Sequence, residues 1–241
     1  MALRYLTIAP VPAGAHVEPT NLGRAAPWFP LIGLALGLVV AGAASVLHLV
    51  FPPVLDALLT VTVWKLLTGG LHLDGLSDCF DGLVGGDAAD RLRIMHDSRI
   101  GAFGVIGLIL FLLLEVGAVS ELGASRVRAL VALPALARAM PPLLAWGFPA
   151  ARGLGQGAMF RAGLRPAGAL AALVIGAAAA VGLLGVAGVV VLGLAIVATL
   201  VIGWFATRRL GGVTGDVMGA TIEITELLAL LALVAWTHAP R

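Results

Sequence analysis

The sequence predicts an all-α fold, a polytopic membrane bundle of about seven transmembrane helices forming one domain over residues 1–241. Three observations carry this. Of the 241 residues 60% are hydrophobic and only 12% charged, with mean hydropathy +1.06, well outside the range of soluble domains. Apolar stretches of about twenty residues recur, each long enough to cross a bilayer core of ~30 Å. The charges that remain gather between alternate stretches.

Residues 1–27 hold Pro10, Pro12, Pro19 and Pro27 with Arg4, Glu18 and Arg24. They lack the basic start, unbroken apolar run and cleavage site of a secretory signal, so they read as an interfacial segment of the mature chain. Spans are expected at Trp28–Val50, Val54–Leu71, Gly101–Val119, Val127–Trp146, Leu164–Gly185, Val186–Phe205 and Val217–Thr237. Pro52 and Pro53 separate the first two, Pro134 bends the fourth, and Pro141 with Pro142 closes it. No polar residue marks the boundary between the fifth and sixth. Gly33-x-x-x-Gly37 permits close helix contact.

Ten of the 15 Lys and Arg residues fall on one side of this arrangement and Arg126, Arg128 and Arg241 on the other, with Lys65 and Arg138 inside spans. The excess marks the cytoplasmic side and puts the amino terminus there, in the cell membrane. Every polar loop of interest opens to that side, which favours a surface enzyme over a transporter. A net charge of +2 and the absence of a basic patch with interleaved aromatics exclude a nucleic-acid partner. The single Cys79 excludes an internal disulfide and reads as a small buried residue.

The segment Gly69–Gly104 carries Asp74, Asp78, Asp81, Asp87, Asp90 and Asp97 with Arg91, Arg93 and Arg99. Asp74, Asp78 and Asp81 stand at i, i+4 and i+7, on one face of a helix. Clustered carboxylates beside apolar spans call for a cation, and hard oxygen ligands suit Mg²⁺ or Mn²⁺. Glu223 and Glu226 in the last span and Arg138 in the fourth are intramembrane charges, functional by default or a structural ion pair. Lys65 and Glu115, near span ends, read as side chains reaching water. The Gly211–Asp216 loop opens a helix whose amides suit a phosphate. A divalent metal, arginines and such a loop together fit phosphoryl transfer from a nucleotide conjugate to an alcohol.

His72-Leu-Asp-Gly-Leu-Ser-Asp78, Phe80-Asp-Gly82, Met95-His-Asp-Ser-Arg-Ile-Gly101 and the GGVTGDVMGA loop resemble the adenosylcobinamide-GDP ribazoletransferase family nearly end to end, including Pro10-Val-Pro12 and the Trp28–Gly33 start of the first span. The resemblance implies transfer of the adenosylcobinamide phosphate group from its GDP conjugate to α-ribazole or its 5′-phosphate, with Mg²⁺ and release of GMP. It implies that Asp74, Asp78 and Asp81 hold metal, that Asp97 or Asp81 serves as the catalytic carboxylate, and that His72, Arg91, Ser98, Arg99, Arg138, Thr214 and Asp216 meet substrate. A homo-oligomer and other cobamide-assembly enzymes are the partners it leaves open. Ile8 and Ala9 stand where a basic residue is expected, and His96 where Lys or Arg is. Two rival readings stand beside it: a CDP-alcohol phosphotransferase, whose D-G-x-x-A-R opening is replaced here by Asp74-Gly-Leu-Ser-Asp-Cys79, and a membrane transporter.

Overall fold

The computed structural model describes residues 2–10, 21–151 and 155–239, so Glu18, Arg152 and Arg241 lie outside the described residues. In chain order the helices are α1 (Ala2–Leu6), α2 (Asn21–Arg24), α3 (Phe29–Val50), α4 (Pro53–Leu67), α5 (Leu71–Gly82), α6 (Ala88–Ile94), α7 (Ala102–Glu121), α8 (Arg126–Gly147), α9 (Gln156–Gly163), α10 (Pro166–Leu184), α11 (Val186–Leu210) and α12 (Gly215–His238). Six of these, α3, α7, α8, α10, α11 and α12, are long and apolar enough to cross a membrane alone, and α4 makes the seventh span only with the bent helix that follows it. The chain is a multi-pass helical membrane protein.

The expected spans match these helices closely, with two differences. The first concerns α4, which has 15 residues and so extends only about 22 Å. The chain then turns through 93° into α5 at Gly69 and Gly70, whose φ angles of 65° and 66° lie in the left-handed region that glycine enters freely. α5 therefore lies across the end of the bundle. The second concerns α8, which does not close at Pro141 and Pro142 but continues to Gly147. α8 is the central helix, buried almost throughout and packed on α3, α10, α11 and α12. Inside such packing neighbouring groups can satisfy the backbone that prolines release. Gly185, at φ 61°, makes the unmarked turn between α10 and α11.

The Gly33 and Gly37 pair serves the α3–α8 contact: a β-carbon on Gly33 would stand 2.2 Å from the Pro134 carbonyl oxygen. All the loops of chemical interest meet at one end. There the Ile8 amide donates to the Leu67 carbonyl at the end of α4 (3.1 Å), and the Ala151 amide to the Val213 carbonyl (3.0 Å). At the opposite end buried Asp56 accepts from Arg126 and lies 3.1 Å from His48 Nδ1.

Candidate active site

Laying α5 across the bundle gives its two sides different neighbours. Leu76 and Gly75 face the core, and a β-carbon on Gly75 would stand 2.8 Å from the Asp216 carbonyl oxygen, so α5 meets the first turn of α12 backbone to backbone. Asp74 is exposed and Asp78 half-buried on the outward side. Burial, helped by the charges of Asp74, Asp216 and Asp81, pushes the Asp78 carboxyl up to about 7. Asp216, expected as a substrate contact, thus joins the acidic face.

Asp81, expected as metal ligand and catalytic group, has another task here. Its Oδ2 accepts from the Gly101 amide (2.7 Å) and its Oδ1 from the Gly104 amide (2.8 Å), capping α7 from a neighbouring helix. A helix start offers free amides and a positive dipole end, which a carboxylate satisfies. The two glycines let the carboxylate approach: a β-carbon on Gly101 would stand 2.4 Å from Asp81 Oδ1.

α6 begins at Asp87, whose side chain accepts from the Asp90 amide at 2.9 Å. Its far end brings His96–Ile100 over the acidic face, closing a cavity of about 380 Å³ lined by Asp74, Ser77, Asp78, Asp97, Ser98 and Arg99. Asp97 accepts from Arg99 Nε (3.0 Å), Nη2 (2.7 Å) and backbone amide (3.0 Å). These bonds hold its carboxyl well below the usual carboxylate range. The same bonds anchor the Arg99 guanidinium at the cavity wall.

A second cavity of about 340 Å³ adjoins the first and shares His96 with it, lined by Leu71, Gln156, Gly157, Thr214, Gly215 and Asp216. Pairing of the glycine-rich loop with Ala150 shapes its wall. Thr214 Oγ1 caps α12 by accepting from the Val217 amide and donates to Asp216 Oδ2, both at 3.2 Å. Tyr5 stacks on Phe29 (5.9 Å between centroids), and burial plus the Asp216 charge pushes its hydroxyl up to about 12, so the amino-terminal helix also borders the site.

Besides Asp81, three expected residues are not brought to these cavities. Arg138 is fully buried and pairs with Glu226, and His72 is buried against α12 rather than facing the acidic side. Arg91 faces an apolar groove behind α6. Lys65 does not reach water: its Nζ lies 2.8, 2.6 and 3.4 Å from Glu115, Glu223 and Glu226. Among the described residues those three glutamates form the one group whose ligand atoms all lie within 4.8 Å of one another, and the lysine ammonium is their cation. Sequence reasoning found each of these charges and missed their pairing, which joins α4, α7 and α12 across long chain separations. Gln156 and Tyr5 were missed outright, since neither lies in a motif.

The family model described as cobalamin-5-phosphate synthase matches residues 1–234. Among curated proteins, the chain is similar to an adenosylcobinamide-GDP ribazoletransferase of Pseudomonas paraeruginosa, 42% identical over 97% of this chain and 96% of the relative. It is likewise similar to those of Ralstonia pickettii, at 41% over 98% and 94%, and of Geotalea daltonii, at 38% over 98% and 96%. No solved structure matches. With 234 matched residues and this acidic cavity, the chain belongs to the cobalamin-5-phosphate synthase family.

Proposed function

We propose that this chain transfers the adenosylcobinamide phosphate group from adenosylcobinamide-GDP to α-ribazole or α-ribazole 5′-phosphate, releasing GMP, at the cytoplasmic face of the cell membrane. The observation that carries the reading is the pair of cavities meeting at His96, one acidic and one walled by glycine backbone, at a single end of a membrane bundle. Two adjoining cavities suit two substrates, and the relatives' names supply their identity.

The donor set fits Mg²⁺ or Mn²⁺: Asp74 and Asp78 are hard oxygen ligands, and the burial and neighbouring carboxylates that raise Asp78 are what a bound cation would offset. Bound there, the metal would neutralise charge on the nonbridging phosphate oxygens. Asp97 holds Arg99 at the cavity wall, where the guanidinium meets the phosphates beside Ser98. The alcohol takes the second cavity. Its oxygen attacks the phosphorus that bears cobinamide, its proton passes to Asp216, and the anhydride bond to GMP breaks. Asp216 replaces Asp97 and Asp81 as the base because it borders the second cavity, while those two are held by Arg99 and by the α7 amides.

The test is GMP release by the reconstituted protein given both substrates, with Mg²⁺ or chelator, for wild type and Asp74→Ala. Metal-dependent GMP and a cobalamin product, both lost in a folded Asp74→Ala, support the reading. Folded wild type without turnover refutes it.

A further inference from the structure

The groove behind α6 shares no residue with the second cavity and meets the acidic one only at Met95. α5 and α11 stand apart at this point, with Val217, Ala220 and Ile224 of α12 as the floor between them and Arg91 of α6 with Met95 just beyond it as the roof. The walls are otherwise hydrocarbon. Leu83, Val201 and Trp204 are exposed along its edges, and since α11 crosses the membrane this exposure is to lipid. The volume is about 260 Å³, below the ~300–1,000 Å³ of sites that enclose a compact ligand, and its shape is a slot between helices. A corrinoid macrocycle does not fit it. A hydrocarbon chain does.

The mouth of the groove adds a charge requirement. Arg91 and Arg209 line it, and Arg208 is the next residue along. The Arg209 guanidinium carbon lies 5.5 Å from the Phe205 ring centroid, and that of Arg208 lies 5.8 Å from Trp204. Aromatic rings carrying arginines at the end of a spanning helix mark the headgroup level of a bilayer. Among the described residues none of these three guanidiniums has a carboxylate within ion-pair distance. Arg209 at the mouth of an apolar slot, with Arg91 on the other side and Arg208 adjacent, matches a molecule with a negative head and a hydrocarbon tail.

We infer that the groove between α5 and α11 binds one anionic glycerophospholipid of the surrounding leaflet, an acyl chain lying against Val201, Leu83 and Ile224 and the phosphate at Arg209 and Arg91. Apolar burial holds the chain, and the arginines select the headgroup, since a cation at the surface favours an anionic lipid about fivefold. Met95 lines both this groove and the acidic cavity, and it directly precedes His96-Asp97-Ser98-Arg99. A chain seated against Met95 therefore supports the segment that closes the cavity. That coupling rests on the proposed transferase reading, whereas lipid binding does not.

The experiment reads binding without turnover. The full chain is reconstituted in nanodiscs of equal phosphatidylglycerol and phosphatidylcholine with matched acyl chains, released, and weighed intact by native mass spectrometry. Wild type retains one lipid, with phosphatidylglycerol favoured at least fivefold. Arg209→Gln still retains a lipid but lowers the phosphatidylglycerol preference about fivefold. Val201→Trp fills the slot and retains neither. If Val201→Trp melts early, Arg209→Gln alone decides. Wild type with no retained lipid, equal retention of both headgroups, or a wild-type preference unchanged in Arg209→Gln overturns the inference. So does loss of the retained lipid on adding adenosylcobinamide-GDP, which would make the groove a substrate subsite.

Discussion

Gly75 and Asp216 touch backbone to backbone, close enough that a methyl group on Gly75 would stand 2.8 Å from the Asp216 carbonyl oxygen. This contact between α5 and the start of α12 puts the Asp74 and Asp78 face beside Asp216. Gly75→Ala must push the helices apart, at a cost of about 1–3 kcal/mol. The expected result is a lower melting temperature in detergent and at least a tenfold fall in GMP release. Unchanged turnover would detach the α5–α12 spacing from catalysis.

Asp74 and Asp81 share a helix face but answer to different measurements. Asp81→Asn weakens two charge-assisted bonds to the first turn of α7, and a loss of about 1–3 kcal/mol in stability follows. Asp74→Asn removes an exposed carboxylate with no such bonds, so the melting temperature stays within a degree or two while metal-dependent activity disappears. The pair of melting curves checks this, and equal destabilisation by both would refute it.

Asp78 sets a pH dependence. Its folded-state carboxyl is raised from 3.8 to about 7, so between those values the folded protein binds more protons than the unfolded one. Stability of the metal-free protein from this group is therefore greatest below about pH 4 and falls as pH rises toward 7. A divalent cation competes with that proton: its affinity rises with pH up to about 7, its binding releases protons, and it restores the lost stability. Melting temperatures at pH 5 and 7.5, with and without Mg²⁺, should show the cation stabilising mainly at the higher pH. In Asp78→Asn the difference should vanish.

Lys65 is enclosed by three carboxylates in an apolar interior. Lys65→Met leaves them uncompensated, and breaking such a buried pair costs about 3–5 kcal/mol. The double variant Lys65→Met with Glu223→Gln should be more stable than Lys65→Met alone, because the second change removes one stranded charge. Urea titration in mixed micelles reads both differences.

The spans were legible because each is a run of about twenty apolar residues, a signal that needs no knowledge of neighbours. The Asp74 and Asp78 face was legible for the same local reason, as i and i+4 positions. What stayed hidden depends on which helix meets which. The Asp81 carboxylate looks equivalent to its two neighbours in sequence, and only the position of α7 turns it into a cap. Arg138 reads as a phosphate contact until Glu226 is found beside it. α8 passed through Pro141 and Pro142 because enclosing helices decide whether a proline ends a helix. Asp97 has Arg99 two residues away, and their bonding was present in the sequence for anyone weighing an Asp-x-Arg turn.

The lysine cluster also imposes an order on biogenesis. Lys65 is synthesised 158 residues ahead of Glu223 and 161 ahead of Glu226, so when α4 leaves the ribosome two of its three counter-charges do not yet exist. Until the last helix inserts, the ammonium has at most Glu115 to neutralise it, and α4, already short for a bilayer, is held in place weakly. The final span is therefore the keystone of this cluster, since it brings two of the three carboxylates that neutralise Lys65.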